Sequence, residues 1–219
     1  ETYYKLGVRH MLMAYNTKNA VGDGCYELGD GGLSRLGIRL IEEMNRVGMI
    51  ADGSHTGYRT TMEMFEVSKD PVIFSHSNPH AICEHSRNIR DDQIQACAAS
   101  GGVIGITGVS LFLVDHQAST NSVINNIKYI SDLVGPQHVG LGLDYIADQQ
   151  ALAQKIDSMT AWTPPGDAFE FQPQETVKYF QPEQLPELTE MLLKGDYSES
   201  DIRGFLGENW LRVARQVWK

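Results

Sequence analysis

The sequence predicts an α/β fold built on parallel strands, read most simply as the later five units of a TIM-like (β/α)8 barrel whose first strands are missing from the chain. Three observations carry that reading. Apolar, strand-like segments alternate with stretches of helical periodicity along most of the chain, the pattern of right-handed βαβ units. Five strands are countable, ending near Tyr15, His55, His76, Val109 and Asp144, against the eight of a complete barrel. Three of the five stop on a metal-capable side chain, His55, His76 or Asp144, and reactive groups gather at the carboxyl ends of parallel strands. A self-contained five-stranded doubly wound sheet is the competing architecture.

The elements follow in order. Residues 6–14 are rich in Leu, Met and Val and lead into Asn16, Thr17, Lys18, Asn19 and two Gly-Asp-Gly triplets. This reads as a strand ending at Tyr15 and a long loop. Leu33, Leu36, Leu40, Ile41, Met44 and Val47 recur at spacings of three and four, one face of a helix that Gly48 ends. A strand to His55, a helix over about 56–67, a strand to His76, a helix over about 90–99 and a strand over 102–109 come next. Val123, Ile127, Ile130, Leu133 and Val134 mark another helix, closed by Gly135 and Pro136 before the strand that ends at Asp144. Residues 149–181 show no clean periodicity and are expected to form a long loop over the strand ends. Helical spacing returns over 182–193; a variant capping box at Ser198 and Asp201 precedes a last helix with Trp210, Val213, Ala214 and Val217 on one face.

Composition bounds the function. The 219 residues suit a single domain, residues 1–219, with a substantial core. No apolar run approaches the roughly 18 to 20 residues of a membrane helix. A formal charge of -10, with none of the 18 basic residues in a run, argues against a nucleic-acid partner and leaves small molecules as the default. Cys25, Cys83 and Cys97 lack CxxC spacing and read as buried free thiols. The chain opens at Glu1 with no starting Met or signal region, so a longer polypeptide is expected.

The residue types then point to chemistry. Zinc takes imidazole and carboxylate ligands, and His55 and His76 end consecutive strands, which favours a shared ligand role over two unrelated structural histidines. His80 and His85 lie in the following loop, where a solvated histidine is commoner than a further ligand; His10, His116 and His138 read as structural. Asp144 ends a glycine-rich strand. A buried carboxylate there needs a metal, an ammonium group or a proton, unless it caps a turn. Arg87 suits a bidentate grip on a substrate carboxylate or, equally, a surface ion pair. The Gly-Asp-Gly triplets at 22–24 and 29–31 read as plain turns.

Residues 7–9, 71–77, 86–88, 139–144 and 207–213 together resemble the membrane (renal) dipeptidase family, peptidase family M19. The Tyr15-Asn16 and Gly22-Asp23-Gly24 neighbourhoods make the likeness closest to its bacterial members. The resemblance implies a TIM-like metallo-dependent hydrolase that cleaves dipeptides with two zinc ions joined by a bridging carboxylate and water. It places His55 and His76 on the second zinc, Arg87 on the substrate carboxylate, and Asp144 on the substrate amino group and in proton transfer. Tyr15 stands where the animal enzymes carry a histidine that contacts the scissile carbonyl. The family's first zinc pair, His-x-Asp, and its bridging Glu lie ahead of the segment this chain matches, so half of the site is expected here. Two further readings stand beside the dipeptidase: an inactive partial barrel serving as a scaffold or binding module, and another barrel amidohydrolase. Open strand edges would favour pairing with a second copy or with a missing N-terminal segment. The resemblance leaves the compartment open between bacterial cytoplasm and periplasm.

Overall fold

The computed structural model describes residues 1–148 and 177–219. Most of the loop expected over 149–181 lies outside the described residues. The chain starts with a short helical turn, α1 (Thr2–Lys5), where the sequence predicts an immediate strand. Gly7, at φ +100°, turns the backbone out of it. The strand itself is short, β1 (His10–Leu12). There follow α2 (Arg35–Val47), β2 (Ile50–Asp52), α3 (Tyr58–Val67), β3 (Val72–Ile73), α4 (Asp91–Ala99), β4 (Ile104–Ile106), α5 (Thr120–Val134) and β5 (Val139–Leu141). After the undescribed residues come α6 (Leu185–Lys194), α7 (Glu199–Arg203) and α8 (Asn209–Val217).

The strands pair in parallel and in sequence order. β1 lies beside β2 with His10 opposite Ile50, and β2 beside β3 with Asp52 opposite Ile73. A parallel bridge from Phe74 to Ile104 joins β3 to β4, and β4 pairs with β5, Ile104 opposite Val139. A doubly wound sheet reverses its strand order at a switch point. No reversal occurs among these five strands, so the order 1-2-3-4-5 favours a run of barrel-type βαβ units over the doubly wound alternative.

Each helix begins and ends where local chemistry dictates. Ser34 Oγ accepts from Gly37 N at 3.0 Å to cap α2, and Gly48, at φ +86°, ends it in a conformation that glycine adopts without steric cost. The cap of α3 comes from a distant loop: the Asp30 carboxylate accepts from the Arg59 amide at 2.5 Å and the Thr60 hydroxyl at 3.0 Å. Asp23 in turn takes the Gly31 amide and pairs with Lys18. Both Gly-Asp-Gly triplets are thereby structural. The capping box at α7 forms as the sequence predicts, with Ser198 Oγ accepting from Asp201 N at 3.1 Å.

The buried residues form three clusters, two of them set by strand alternation. Ala51 and Val72 face α2 and α3, packing with Ile41, Met44 and Met64. Ile50 and Ile73 face the opposite way and pack with Val213 and Val217 of α8. The largest cluster fills the space between β4, β5 and the helices α4 to α7, with Phe74, Ile104, Ile127, Val139, Phe180 and Phe205 all buried. The glycine-rich strand serves this packing. Side chains at Gly140 and Gly142 would collide with the Trp210 indole and the Ser75 carbonyl respectively, while Trp210 Nε1 donates to the Leu141 carbonyl at 3.2 Å.

Gly105 is held between the Ser75 carbonyl and the Trp210 ring, whose Cζ2 would lie 2.9 Å from an added Cβ. Because the first obstacle is backbone, Gly105→Ala is expected to cost about 1–3 kcal/mol. Urea unfolding measures it, and an unchanged midpoint would show that the strand spacing is slack.

Candidate metal and substrate site

The site lies just past the carboxyl ends of the strands and is anchored by Asp52, the last residue of β2. Its carboxylate is fully buried, and Oδ1 accepts from Ser54 N at 2.9 Å and from Ser75 N at 3.0 Å. Those amides belong to the residues immediately before His55 and His76. Ser54 Oγ then accepts from His76 N at 3.0 Å, which ties the two turns together. Asp52 Oδ2 has no hydrogen-bond partner among the described residues and faces His10 Nε2 at 3.9 Å.

His55 leaves β2 in the left-handed region at φ +64°, a conformation uncommon outside glycine. This turns its ring inward. His55 Nε2 and His76 Nε2 converge to 2.8 Å, the Tyr15 ring stacks on His55 with centroids 4.0 Å apart, and His55 Nδ1 meets Asn16 Oδ1 at 2.6 Å. His76 Nδ1 meets Ser75 Oγ at 2.7 Å. Burial, then the Arg87 charge, then the neighbouring imidazole push His55 down to about 2, and burial and Arg87 also hold His76 below its usual range. Both are neutral at pH 7, the form in which imidazole ligates metal.

Arg87 is buried, with a terminal nitrogen donating to the His76 carbonyl at 3.1 Å and its guanidinium 5.3 Å from the centre of the Phe112 ring. Its Nε has no partner among the described residues. A desolvated cation with unused donors calls for an anion. Asp144, at φ +55°, has solvent access, yet desolvation in the concavity raises its carboxyl above the ordinary range while His76 and Arg87 draw it back. The Tyr15 phenol is raised by burial and by Asp144. A cavity of about 670 Å³ opens from this cluster past Cys25, Tyr58, His80 and His85.

All five residues singled out in the sequence, Tyr15, His55, His76, Arg87 and Asp144, thus come together. Of the other histidines, His85 accepts from Arg87 N at 3.0 Å, packs on Phe112 and lines the cavity with His80, while His116 and His138 contact backbone carbonyls. Tyr179 was missed. It bridges to Val109, and its phenol is raised by burial and by the charges of Asp144 and Tyr15. Asn16 and Asp52 were missed also, because a polar residue after a strand and an Asp before a glycine both look like turn chemistry.

The metal implied by the resemblance can be tested against these donors. Two neutral imidazoles with converged Nε2 atoms and hydrogen-bonded Nδ1 atoms fit two positions of a zinc shell. No group of three or more His, Cys, Asp or Glu able to hold a metal occurs among the described residues. The donor set fits as part of a site.

Two converged imidazoles and a buried guanidinium, with a nearby carboxylate and a cavity lined by His55 and Arg87, form a set suited to metal-assisted hydrolysis. Comparison with known proteins gives the family: the chain belongs to the membrane dipeptidase family, peptidase family M19, which it matches over residues 1–160. It is 32% identical over 216 residues to dipeptidase verJ of the fungus Clonostachys rogersoniana, covering 98% of this chain and 50% of that protein. Among solved structures it resembles an amidohydrolase from Pseudomonas aeruginosa, with a TM-score of 0.86 and 35% identity over 99% of this chain and 67% of the other. It shares its fold with dipeptidase AC, a metallopeptidase of family M19, at a TM-score of 0.77 and 23% identity, covering 99% and 58% of the two chains. The chain spans about half the length of the fungal dipeptidase it matches.

The histidine environment fixes a pH dependence. A group whose folded pKa is depressed leaves the unfolded chain binding more protons below its normal pKa, so stability falls as pH drops below about 6.5. The raised Asp144 carboxyl works in the opposite sense, its contribution being lost as pH rises through its folded pKa. In chelator-treated protein, His55→Gln is therefore expected to remove up to about 2 kcal/mol of the stability lost between pH 7.5 and pH 5.0. Urea midpoints at the two pH values decide it, and equal losses in both proteins would contradict a neutral, buried His55.

Proposed function

We propose that the complete protein is a zinc-dependent dipeptidase in which this chain supplies one zinc's two histidines and the substrate-binding side of the pocket. The observation that carries the reading is the 2.8 Å convergence of His55 and His76 beside a buried Arg87 with an unused donor. The five strands are read as consecutive units of a TIM-like barrel, with the remaining units and zinc ligands supplied by another segment or a second copy paired along an open edge. Zinc supplies a water of lowered pKa and an electrophile for the scissile carbonyl.

The chain's own groups do the positioning. Arg87 grips the terminal carboxylate of a dipeptide through its guanidinium and sets the register of the peptide bond. Asp144 meets the free amino group, whose charge favours the ionised carboxylate; in that form it takes the proton lost by the attacking water and passes it to the leaving amine. The Tyr15 phenol, kept protonated by its surroundings, donates to the carbonyl oxygen as negative charge develops there. Recognition of both termini explains why two residues and no more would be accepted.

Two experiments on full-length protein test this. His55→Ala is expected to lower zinc content and to reduce dipeptide hydrolysis at least about 100-fold; unchanged zinc and turnover would sink the proposal. Arg87→Met is expected to raise KM for free dipeptides by about 10–100-fold, with little effect on dipeptide amides. Faster hydrolysis of cyclic amides than of any linear dipeptide would instead favour the amidohydrolase reading.

A further inference from the structure

The loop that follows β1 bonds to both the main chain and the ring of His55. Asn16, at φ +64°, donates its backbone amide to the His55 carbonyl at 3.2 Å, and its own carbonyl accepts from Tyr26 N at 2.9 Å. The same His55 carbonyl takes Cys25 N at 2.9 Å. Gly24 passes so close that any side chain there would strike the Asn16 backbone. The main chain therefore anchors this turn by itself. The Asn16 side chain is left to act on the imidazole. Its Oδ1 lies 2.6 Å from His55 Nδ1, and its other contact is a long one, 3.6 Å, from Cys25 Sγ.

An amide oxygen has no proton to give. Facing Nδ1, it fixes the proton of neutral His55 on that nitrogen and leaves Nε2, the atom turned towards His76, with its lone pair. Partners of this kind on a ligating histidine hold both the tautomer and the ring orientation, and losing one typically costs about 10–100-fold in metal affinity.

We infer that Asn16 is a positioning residue for the metal, selecting the Nδ1-protonated tautomer of His55 through its side-chain oxygen. The inference rests on the zinc reading of the His55–His76 pair, but its tautomer arm stands without metal. Left-handed backbone at position 16 makes Asn16→Gly the clean deletion, since glycine keeps that conformation at no steric cost. Asn16→Asp restores an acceptor at the same place.

Full-length wild type and both variants are compared in two ways. In metal-free protein at pH 8, ¹⁵N resonances of the His55 imidazole are expected to report one Nδ1–H tautomer in wild type and Asn16→Asp, and a mixture in Asn16→Gly. Competition with a chromophoric chelator is expected to show zinc affinity falling about 10–100-fold in Asn16→Gly and recovering to within about threefold in Asn16→Asp. An Nε2–H tautomer in the wild type overturns the inference. So does wild-type zinc affinity in Asn16→Gly with its urea midpoint unchanged, and so does a loss that the Asp variant fails to rescue. If wild type binds no zinc, the inference falls in the form stated, while a single Nδ1–H tautomer would separate that failure from a wrong assignment of the Asn16 contact.

Discussion

One buried oxygen sets the distance between the two histidines. β2 and β3 are three and two residues long, too short for their ladder alone to fix what happens beyond it. Asp52 Oδ1 extends the connection by accepting one amide from each strand's exit. The effect of Asp52 is geometric: His55 and His76 leave their strands from a common origin, the residue before each held by the same oxygen atom.

The charge pattern follows from that placement. Arg87 is carried beneath the imidazoles by a loop that begins at His76, and its guanidinium acts on every histidine around it in the same sense, discouraging further positive charge. The histidines stay neutral because they are buried and because a cation is close. Asp144 sits where desolvation and attraction oppose each other, so its protonation responds to what lies beside it. On the dipeptidase reading, a fixed cation and a responsive carboxylate would distinguish the two ends of a zwitterion.

How much of this is legible in the sequence depends on whether a residue acts at a strand's end or through a contact between loops. His55, His76 and Asp144 terminate apolar runs, and that signal is local. Helix limits are legible for the same reason, Ser34 and Gly48 marking α2 and Gly135 closing α5. The strands are shorter than their apolar runs suggest, because residues such as Val103, Thr107 and Val109 are buried without belonging to the ladder. The α1 turn gives no warning, as four residues carry no periodicity. Tyr179 lies in a stretch without pattern, far in sequence from Asp144, and Asn16 resembles an ordinary turn residue. Their partners are distant in the chain and no spacing announces them.

The serine before His76 differs in kind from the asparagine beside His55. Asn16 Oδ1 can only accept, whereas the Ser75 hydroxyl can donate to His76 Nδ1 or, by rotating towards Ser54 Oγ at 3.3 Å, accept from it. While the two Nε2 atoms share a hydrogen bond, His76 supplies its proton; when both turn to a cation, that proton belongs on Nδ1. One imidazole is fixed and the other reversible. On the zinc reading, the pair would exchange a mutual contact for a shared ion by moving a single proton across one ring and turning one hydroxyl, with neither side chain changing its charge in the buried interior.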